Sequence, residues 1–336
     1  MAYFGITATD EGLRAAVPGV DVEGGLSAAL AGVRRADAPV VVLIHGYRWH
    51  PDAPGGDPHR SLFALAPGDG DWRIRSWPEG LGFDDRGASG LCIGFGWPAS
   101  APHLRSLVAT GRNGFARVYD TAVAVGARLA EVIRLVQRLA PGRPVDVFAH
   151  SLGARVALAA LPHLDEAPGR MILLGAAEFD AAAHGFLAAS PAAFRPQVYN
   201  VTARANDLYD LMFETFAPRK GWRDRAIGLG LAEPVPGWID LQLDRADVTA
   251  WINARGIPLQ APEARLCHWS FYTRDGALAV YQAILRRRPG WDVAGLRAAP
   301  CFGVQEPRWS RILPRRRPAA APEAAGLPLG GRLHDA

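Results

Sequence analysis

The stretch PVDVFAHSLGARVAL, residues 144–158, decides the fold. Its first half has the short period of a β-strand, and after Ser151 the apolar residues fall three and four apart, as in a helix. The turn between them differs from the nucleophile-elbow pattern G-x-S-x-G only in having Ala149 at the first glycine. Such a turn strains the serine and needs small residues two positions before and after it, here Ala149 and Gly153. The pattern predicts a nucleophile at Ser151, although a serine at a helix start can also be an N-cap.

Strand and helix patterns alternate along the rest of the chain. The apolar, β-branched run Val40–Ile44 is typical of a strand buried on both faces. The run GLCIGFGWP stops at Pro98, and a helical period follows from Phe115 to Leu139. Two more apolar runs, RMILLGAAEF and PQVYNVT, come after the elbow. This alternation predicts an α/β fold with a doubly wound, mostly parallel sheet, in which ligands bind at the carboxyl ends of the strands.

Three motifs together resemble the α/β-hydrolase superfamily: HGY at residues 45–47, GFGWP at 94–98 and AHSLGARVAL at 149–158. They are most similar to a poorly characterised bacterial branch of esterase-like members, and the resemblance extends over residues 39–285. It implies that Ser151 is the nucleophile and that the backbone N–H groups of Tyr47 and Leu152 form the oxyanion hole. It also implies structural support around the nucleophile from His45, Gly46 and Gly153.

The resemblance further implies that the catalytic residues follow the chain order serine, acid, histidine. Asp207 follows the run VYNV by a short polar turn, where the superfamily places its acid, and it is the preferred candidate. A helix N-cap is the other interpretation of Asp207. The alternative acids are Asp210, Glu178 and Asp180. His268, in the context LCHWSF, is the candidate base, because His184 precedes the favoured acid in the chain.

These residues predict a serine hydrolase that cleaves a small carboxylic ester or thioester through an acyl-enzyme, with no cofactor. Acyl transfer to an acceptor other than water and thioester hydrolysis by the same fold are alternatives. A non-catalytic hydrolase fold used for binding is the alternative from another class. A nucleotide-binding oxidoreductase is disfavoured, because the near matches to G-x-G-x-x-G lack the third glycine.

The order of elements predicts one hydrolase domain over residues 1–303 with two candidate cover segments. The first is an insertion at residues 47–90, rich in glycine, proline and tryptophan, and longer than such connections need to be. The second is an irregular stretch at residues 213–247. Residues 304–336 are basic and rich in proline and alanine, and we expect them to form a disordered, solvated tail.

The composition of the 336 residues, 49% hydrophobic and 21% charged, is that of a globular protein. A formal net charge of +4 arises from scattered arginines and one lysine, which does not favour a nucleic-acid partner. The three cysteines are far apart, which indicates a reducing compartment, most simply the cytoplasm. The clustered histidines His45, His50 and His59 lack regular ligand spacing, so we expect no metal. No apolar stretch is long enough for a transmembrane segment, and the oligomeric state is left open.

Overall fold

A single mixed sheet is the centre of the molecule. The computed structural model describes residues 2–68, 70–84, 89–101, 114–191 and 196–313. Within them the strands are β1 (Tyr3–Thr9), β2 (Gly12–Ala15), β3 (Val40–Ile44), β4 (Leu91–Gly96), β5 (Val145–His150), β6 (Arg170–Leu174), β7 (Gln197–Thr202) and β8 (Trp238–Gln242). Their order in the sheet is β2-β1-β4-β3-β5-β6-β7-β8, with β1 and β2 antiparallel and the other neighbours parallel. The predicted doubly wound, mostly parallel sheet is confirmed.

Helices cover both faces of this sheet. They are α1 (Val22–Ala31), α2 (Trp77–Gly80), α3 (Gly114–Leu139), α4 (Leu152–Ala160), α5 (Asp180–Ala189), α6 (Asp207–Phe216), α7 (Ala246–Asn253), α8 (Ser270–Thr273), α9 (Ala277–Leu285) and α10 (Val293–Arg297). Across the described residues, none of these helices combines the length and the apolarity that crossing a bilayer requires.

The alternation of side chains along β3 divides the interior into two cores. Val40, Val42 and Ile44 face the core that α1, α3 and α4 cover, and Val41 and Leu43 face the core that α9 covers. All five are fully buried, as expected for a central strand of a parallel sheet. The central strands are therefore fixed from both sides, and the loops at their carboxyl ends start from a rigid base.

The insertion at residues 47–90 contributes to the second core. Phe63, Trp77 and Phe83 are buried, and the Trp77 ring packs edge-on against Phe148 of β5 and Tyr272 of α8. Residues 69 and 85–88 of the insertion lie outside the described residues. The part that is described is thus anchored beneath the sheet's carboxyl edge by its aromatic side chains.

The expectation of an irregular segment at residues 213–247 is wrong at both ends. Helix α6 continues to Phe216, and Trp238–Gln242 forms β8, which pairs with β7 at the edge of the sheet. The alternation in WIDLQ is too short to distinguish from loop sequence by itself. Pairing with β7 and burial of Ile239 and Leu241 stabilise it as a strand.

The expected boundary of the tail at residue 304 is also wrong. Arg308 forms two hydrogen bonds with Glu214, and the Trp309 N–H donates to Asp207 at 2.6 Å. The Arg311 guanidinium donates to the carbonyls of Pro262 and Ala264. Basic side chains therefore bind buried carboxylates and carbonyls here instead of water. We call residues 304–313 the C-terminal strap. Residues 314–336 lie outside the described part of the chain.

Candidate active site

Ser151 has a strained backbone at the carboxyl end of β5. Its φ is 56° and its ψ is −123°, a region that residues other than glycine rarely occupy. The conformation is held by hydrogen bonds from the Ser151 N–H to Leu174 and from the Ala177 N–H to the Ser151 carbonyl. The serine side chain does not cap α4, so the N-cap interpretation fails. Strain of this kind collects at functional sites, where the surrounding structure enforces it.

The small residues of the two motifs let the loop after β3 lie directly against the elbow. A Cβ on Gly153 would lie 2.6 Å from the His45 carbonyl oxygen, and a Cβ on Gly46 would lie 2.7 Å from the Ser151 Cβ. Neither distance is compatible with a larger residue. Glycine at both positions therefore brings the two loops together, as the sequence led us to expect.

His45 joins the HGY motif to the GFGWP motif. Its ring is fully buried, accepts a hydrogen bond from the Trp97 N–H at Nε2 and donates from Nδ1 to the Gly46 carbonyl. The Trp97 indole in turn donates to the His45 carbonyl. Burial lowers the pKa of His45 to about 3, so the ring is neutral. These contacts give His45 the bracing position that the resemblance implies.

Leu152 and Tyr47 occupy the positions expected for oxyanion donors. Leu152 is the first residue of α4, so its N–H has no partner within the helix. Tyr47 follows Gly46, which contacts Ser151, and Tyr47 also lines the cavity above the serine. Two N–H groups from adjacent loops are the usual way to stabilise a developing oxyanion. Their role here remains a prediction.

The hydrogen-bond partner of His268 is an asparagine and not an aspartate. His268 Nδ1 lies 2.6 Å from Asn206 Oδ1, and Asn206 Nδ2 donates to Asp210 Oδ1 at 2.9 Å. An ionised Asp210 only accepts, so the amide then turns its Nδ2 to Asp210 and its Oδ1 to the histidine. In that state His268 carries its proton on Nδ1. Its Nε2 is left with a free lone pair, the state that a general base needs.

Asp207, the preferred acid from the sequence, points elsewhere. It is fully buried, accepts from the Trp309 N–H of the strap and lies 3.3 Å from the Arg204 guanidinium. In the described part of the chain, no hydrogen bond joins it to His268. Asn206 and Asp207 are neighbours at the start of α6, where successive side chains diverge by about 100°, so only one can face the histidine. The sequence favoured Asp207 as the partner of His268, and the structure places the preceding residue, Asn206, in that position.

Asp210 hydrogen-bonds Asn206 and not His268, and Asn206 occupies the position expected for the acid. Burial raises its pKa to about 7, with Arg204 opposing that shift and Asp207 adding to it. Its second oxygen has no hydrogen-bond partner among the described residues. Asp210 acts on His268 only through Asn206, an arrangement that sequence patterns for a direct triad do not reveal.

His150 is a site residue that sequence analysis missed. Its Nε2 donates to the His268 carbonyl at 3.1 Å, and the two ring centroids are 4.6 Å apart. Burial lowers the pKa of His150 to about 4, which keeps it neutral. Burial is the main cause that holds the pKa of His268 well below its ordinary value, and the nearby His150 is a smaller one. The residue before the elbow serine therefore positions the loop that carries His268.

The remaining acidic and histidine candidates do not line the cavity. Glu178 is buried behind the elbow, where it accepts from the Tyr119 hydroxyl and the Arg155 guanidinium, both at 2.6 Å. Asp180 begins α5 and accepts from the Ala232 N–H. His184 lies one turn later and hydrogen-bonds the Asp180 carbonyl. Glu178 thus clamps α4 to α3, and the other two belong to α5.

A cavity of about 510 Å³ opens over Ser151 and His268. Asn206 and Asp210 reach it from below, and the insertion contributes wall residues that include Arg48, Asp71 and Arg73. Arg73 and Asp71 form a two-point ion pair, and the Arg73 guanidinium lies 5.3 Å from the Trp269 ring centroid. The other large wall residues are apolar or aromatic: Tyr47, Trp49, Phe115, Tyr209, Met212, Phe213, Phe216, Trp269 and Tyr272.

Nothing in the described residues forms a metal centre of three or more histidine, cysteine, aspartate or glutamate side chains. His59 hydrogen-bonds the Tyr3 and Thr7 hydroxyls. The described cavity brings together a serine, two histidines and an asparagine: Ser151, His150, His268 and Asn206.

The sheet, the strained serine turn after β5 and the braced loop after β3 define an α/β-hydrolase fold. Residues 79–183, which include β4, β5 and the elbow, match a family described as an alpha/beta hydrolase of unknown function (DUF900). The predicted resemblance to a poorly characterised α/β-hydrolase branch is confirmed. None of the curated proteins matches the sequence.

Proposed function

We propose that the protein is a serine hydrolase that cleaves a carboxylic ester or thioester through an acyl-enzyme. The observation that carries the proposal is the placement of a strained Ser151 in one cavity with His268, whose Nδ1 is held by Asn206. Ser151 is the nucleophile, His268 the general base and Asn206 the positioning residue. Tyr47 and Leu152 supply the oxyanion N–H groups.

The reaction follows from these roles. His268 Nε2 takes the Ser151 proton as Oγ attacks the acyl carbonyl, and the oxyanion is stabilised by the two N–H groups. The imidazolium then returns the proton to the leaving alcohol or thiol, which departs as the acyl-enzyme forms. A water molecule, deprotonated by the same histidine, attacks the acyl-enzyme and releases the acid. The Ser151 proton thus passes to the leaving alcohol or thiol, and the proton taken from water passes back to Ser151 Oγ.

Asn206 orients His268 but stabilises the imidazolium less than an aspartate would. A neutral amide offers a dipole where an aspartate offers a full charge. Asp210 places a carboxylate one hydrogen bond further away, in contact with the Asn206 amide. The negative charge therefore acts on the histidine at a distance, and it fixes the amide orientation directly.

The aromatic wall supports an apolar acyl or aryl group as the main determinant of binding. Within this wall Asp71 and Arg73 neutralise each other, and Arg48 is a further cation outside that pair. Because the insertion and α6 each contribute several of the wall residues, we propose that these two segments select the substrate. Transfer of the acyl group to an acceptor other than water would use the same residues, and the two activities differ in the product formed.

Covalent labelling tests the catalytic proposal. A fluorophosphonate should attach to Ser151 at neutral pH, because only a serine activated by a base reacts with it. Ser151→Ala should remove both labelling and hydrolysis of a p-nitrophenyl ester series. Labelling that persists in Ser151→Ala would show that the reactive group is not Ser151, and a folded wild type that takes no label would favour a non-catalytic binding protein.

A comparison of neighbouring variants tests the assignment of Asn206. Asn206→Ala should lower kcat by about a hundredfold or more, because His268 loses the group that fixes its tautomer. Asp207→Asn should leave kcat within about tenfold, since Asp207 contacts the strap and Arg204. Steady-state kinetics on proteins of matched circular dichroism would decide. A larger loss for Asp207→Asn than for Asn206→Ala would return the acid to Asp207.

A further inference from the structure

Helix α6 has its polar and apolar faces exchanged relative to an ordinary surface helix. Asp207, Asp210 and Glu214 point inward and are buried. Arg204 pairs with Asp207 and Arg308 with Glu214, while Asp210 accepts from the Asn206 amide. The outward face carries Leu208, Leu211, Met212 and Phe216, whose exposed fractions are 36%, 41%, 46% and 48%.

The buried carboxylates on the inner face of α6 are explained by the site. The inner face of α6 carries Asp210, which holds Asn206, so that face must be polar. Nothing in that requirement explains the outer face, because leucine and methionine side chains exposed on one helix face gain no hydrophobic stabilisation there. Met212 and Phe216 also line the cavity, so this apolar face is continuous with its wall.

A basic loop with an exposed tryptophan follows directly. Trp222 is 79% exposed, the largest fraction among the exposed large hydrophobic residues of the described chain. The Arg223 guanidinium lies 4.5 Å from its ring centroid, and Arg219 donates to its carbonyl. Lys220, the one lysine in the sequence, lies between them and is exposed. The nearby Asp224 carboxylate accepts from the Ala181 N–H.

We propose that this surface docks on an anionic lipid surface, and we name it the α6 surface: Leu208, Leu211, Met212, Phe216, Arg219, Lys220, Trp222 and Arg223. An exposed apolar helix face that is followed directly in the chain by three cations and an exposed tryptophan combines the side chains that bind anionic lipid. The cations distinguish it from a face that pairs with a second copy of the chain, where like charges would meet.

Docking deepens the proposed function, on which this step rests, by naming the substrate class. Met212 and Phe216 belong both to the α6 surface and to the cavity wall. An ester dissolved in the lipid could therefore pass into the cavity over apolar side chains. The substrate class is accordingly a lipid-soluble ester presented at an anionic surface.

Vesicle sedimentation tests the docking without requiring catalysis. Ser151→Ala should sediment with vesicles of phosphatidylcholine and 30 mol% phosphatidylglycerol at 50 mM salt. Binding should fall at least about tenfold with pure phosphatidylcholine or at 500 mM salt, because surface charges are then absent or screened. Lys220→Gln and Arg223→Gln should each lower the partition coefficient about fivefold.

Matched substitutions separate the α6 surface from general stickiness. Leu211→Ser with Trp222→Ala should lower binding at least about tenfold. Val17→Ser and Arg34→Gln change an exposed apolar residue and an exposed cation outside the α6 surface, and they should bind as wild type does. Equal losses in both sets, no binding by folded wild type, or a dimer in sedimentation velocity that Leu211→Ser dissociates would each overturn the proposal.

Activity distinguishes failure of the docking from failure of the hydrolase assignment. Leu208→Ser with Leu211→Ser should lower hydrolysis of an emulsified long-chain ester far more than hydrolysis of a soluble acetate ester. Vesicle binding by a protein that takes no fluorophosphonate label would retain the docking and refute the hydrolase. Fluorophosphonate labelling of a protein that does not bind vesicles would retain the hydrolase assignment and refute the docking.

Discussion

At the scale of single residues, the charge of Asp210 decides which way the Asn206 amide points. An ionised Asp210 accepts only, which turns Asn206 Oδ1 to His268 and keeps the histidine Nε2 free. A protonated Asp210 can also donate, so the amide can turn over and favour the opposite tautomer. The same carboxyl group is buried, and burial raises its pKa to about 7. We therefore expect the productive hydrogen-bond direction to be lost as the pH falls through about 7.

We expect kcat/KM to fall as the pH decreases through about 7, where Asp210 takes up its proton. The pKa of His268 is held well below its ordinary value, so protonation of the base itself comes at lower pH. Asp210→Asn should remove the limb near 7 and lower kcat at pH 8 at least about tenfold. A pH–rate profile from pH 5 to 9 measures both effects. A flat wild-type profile, or a limb near 7 that survives in Asp210→Asn, would contradict the relay.

Thermal unfolding provides the control for Asp210→Asn. The folded-state pKa is raised, so the folded protein binds more protons than the unfolded chain and loses stability as the pH rises through about 7. A neutral asparagine has no such penalty. The variant should therefore be at least as stable as wild type at pH 8, although it is less active.

At the scale of elements, the C-terminal strap supports the helix and the loop that carry the site. Arg308 and the Trp309 N–H bind Glu214 and Asp207 of α6. Arg311 binds the carbonyls of Pro262 and Ala264, just before His268. A segment of ten residues thus neutralises carboxylates around Asn206 and tethers both partners of the His268–Asn206 hydrogen bond.

A chain ending after residue 303 should have a Tm at least about 5 °C below wild type, because buried carboxylates lose their cations. Its kcat should fall more than that of a chain ending after residue 313, which keeps the strap. Differential scanning fluorimetry and ester hydrolysis on the two truncations give the answer. Equal behaviour of the two chains would show that the strap contributes nothing to the site.

At the scale of the whole molecule, the cavity forms where separate parts of the chain meet at the carboxyl edge of the sheet. Arg73 belongs to the insertion, Phe115 to α3 and Trp269 to the loop that carries His268, and all three line the cavity. The insertion is also part of the second core through Trp77. Replacement of its centre would therefore expose buried aromatic surface as well as change the wall, so substrate selection is better tested by single wall substitutions.

The sequence by itself predicted the central sheet and the elbow, because these depend on local patterns, whereas the brace was implied by the family resemblance. The β-branched run Val40–Ile44, which ends at a glycine, favours a buried strand, and a serine flanked by Ala149 and Gly153 at a strand-to-helix switch has few other conformations. The structure also places His268 in one cavity with Ser151.

Only the tertiary structure decided the partner of His268, the strap and the exchanged faces of α6. Asn206 and Asp207 are adjacent, and the rotation of the first turn of α6 selects which one reaches the histidine. Arg308 is basic in a polar stretch, but Glu214 lies in contact with it across 94 positions of the chain. Such choices depend on long-range contacts between charged groups, whose energies depend on burial and distance and leave no periodic pattern in the sequence.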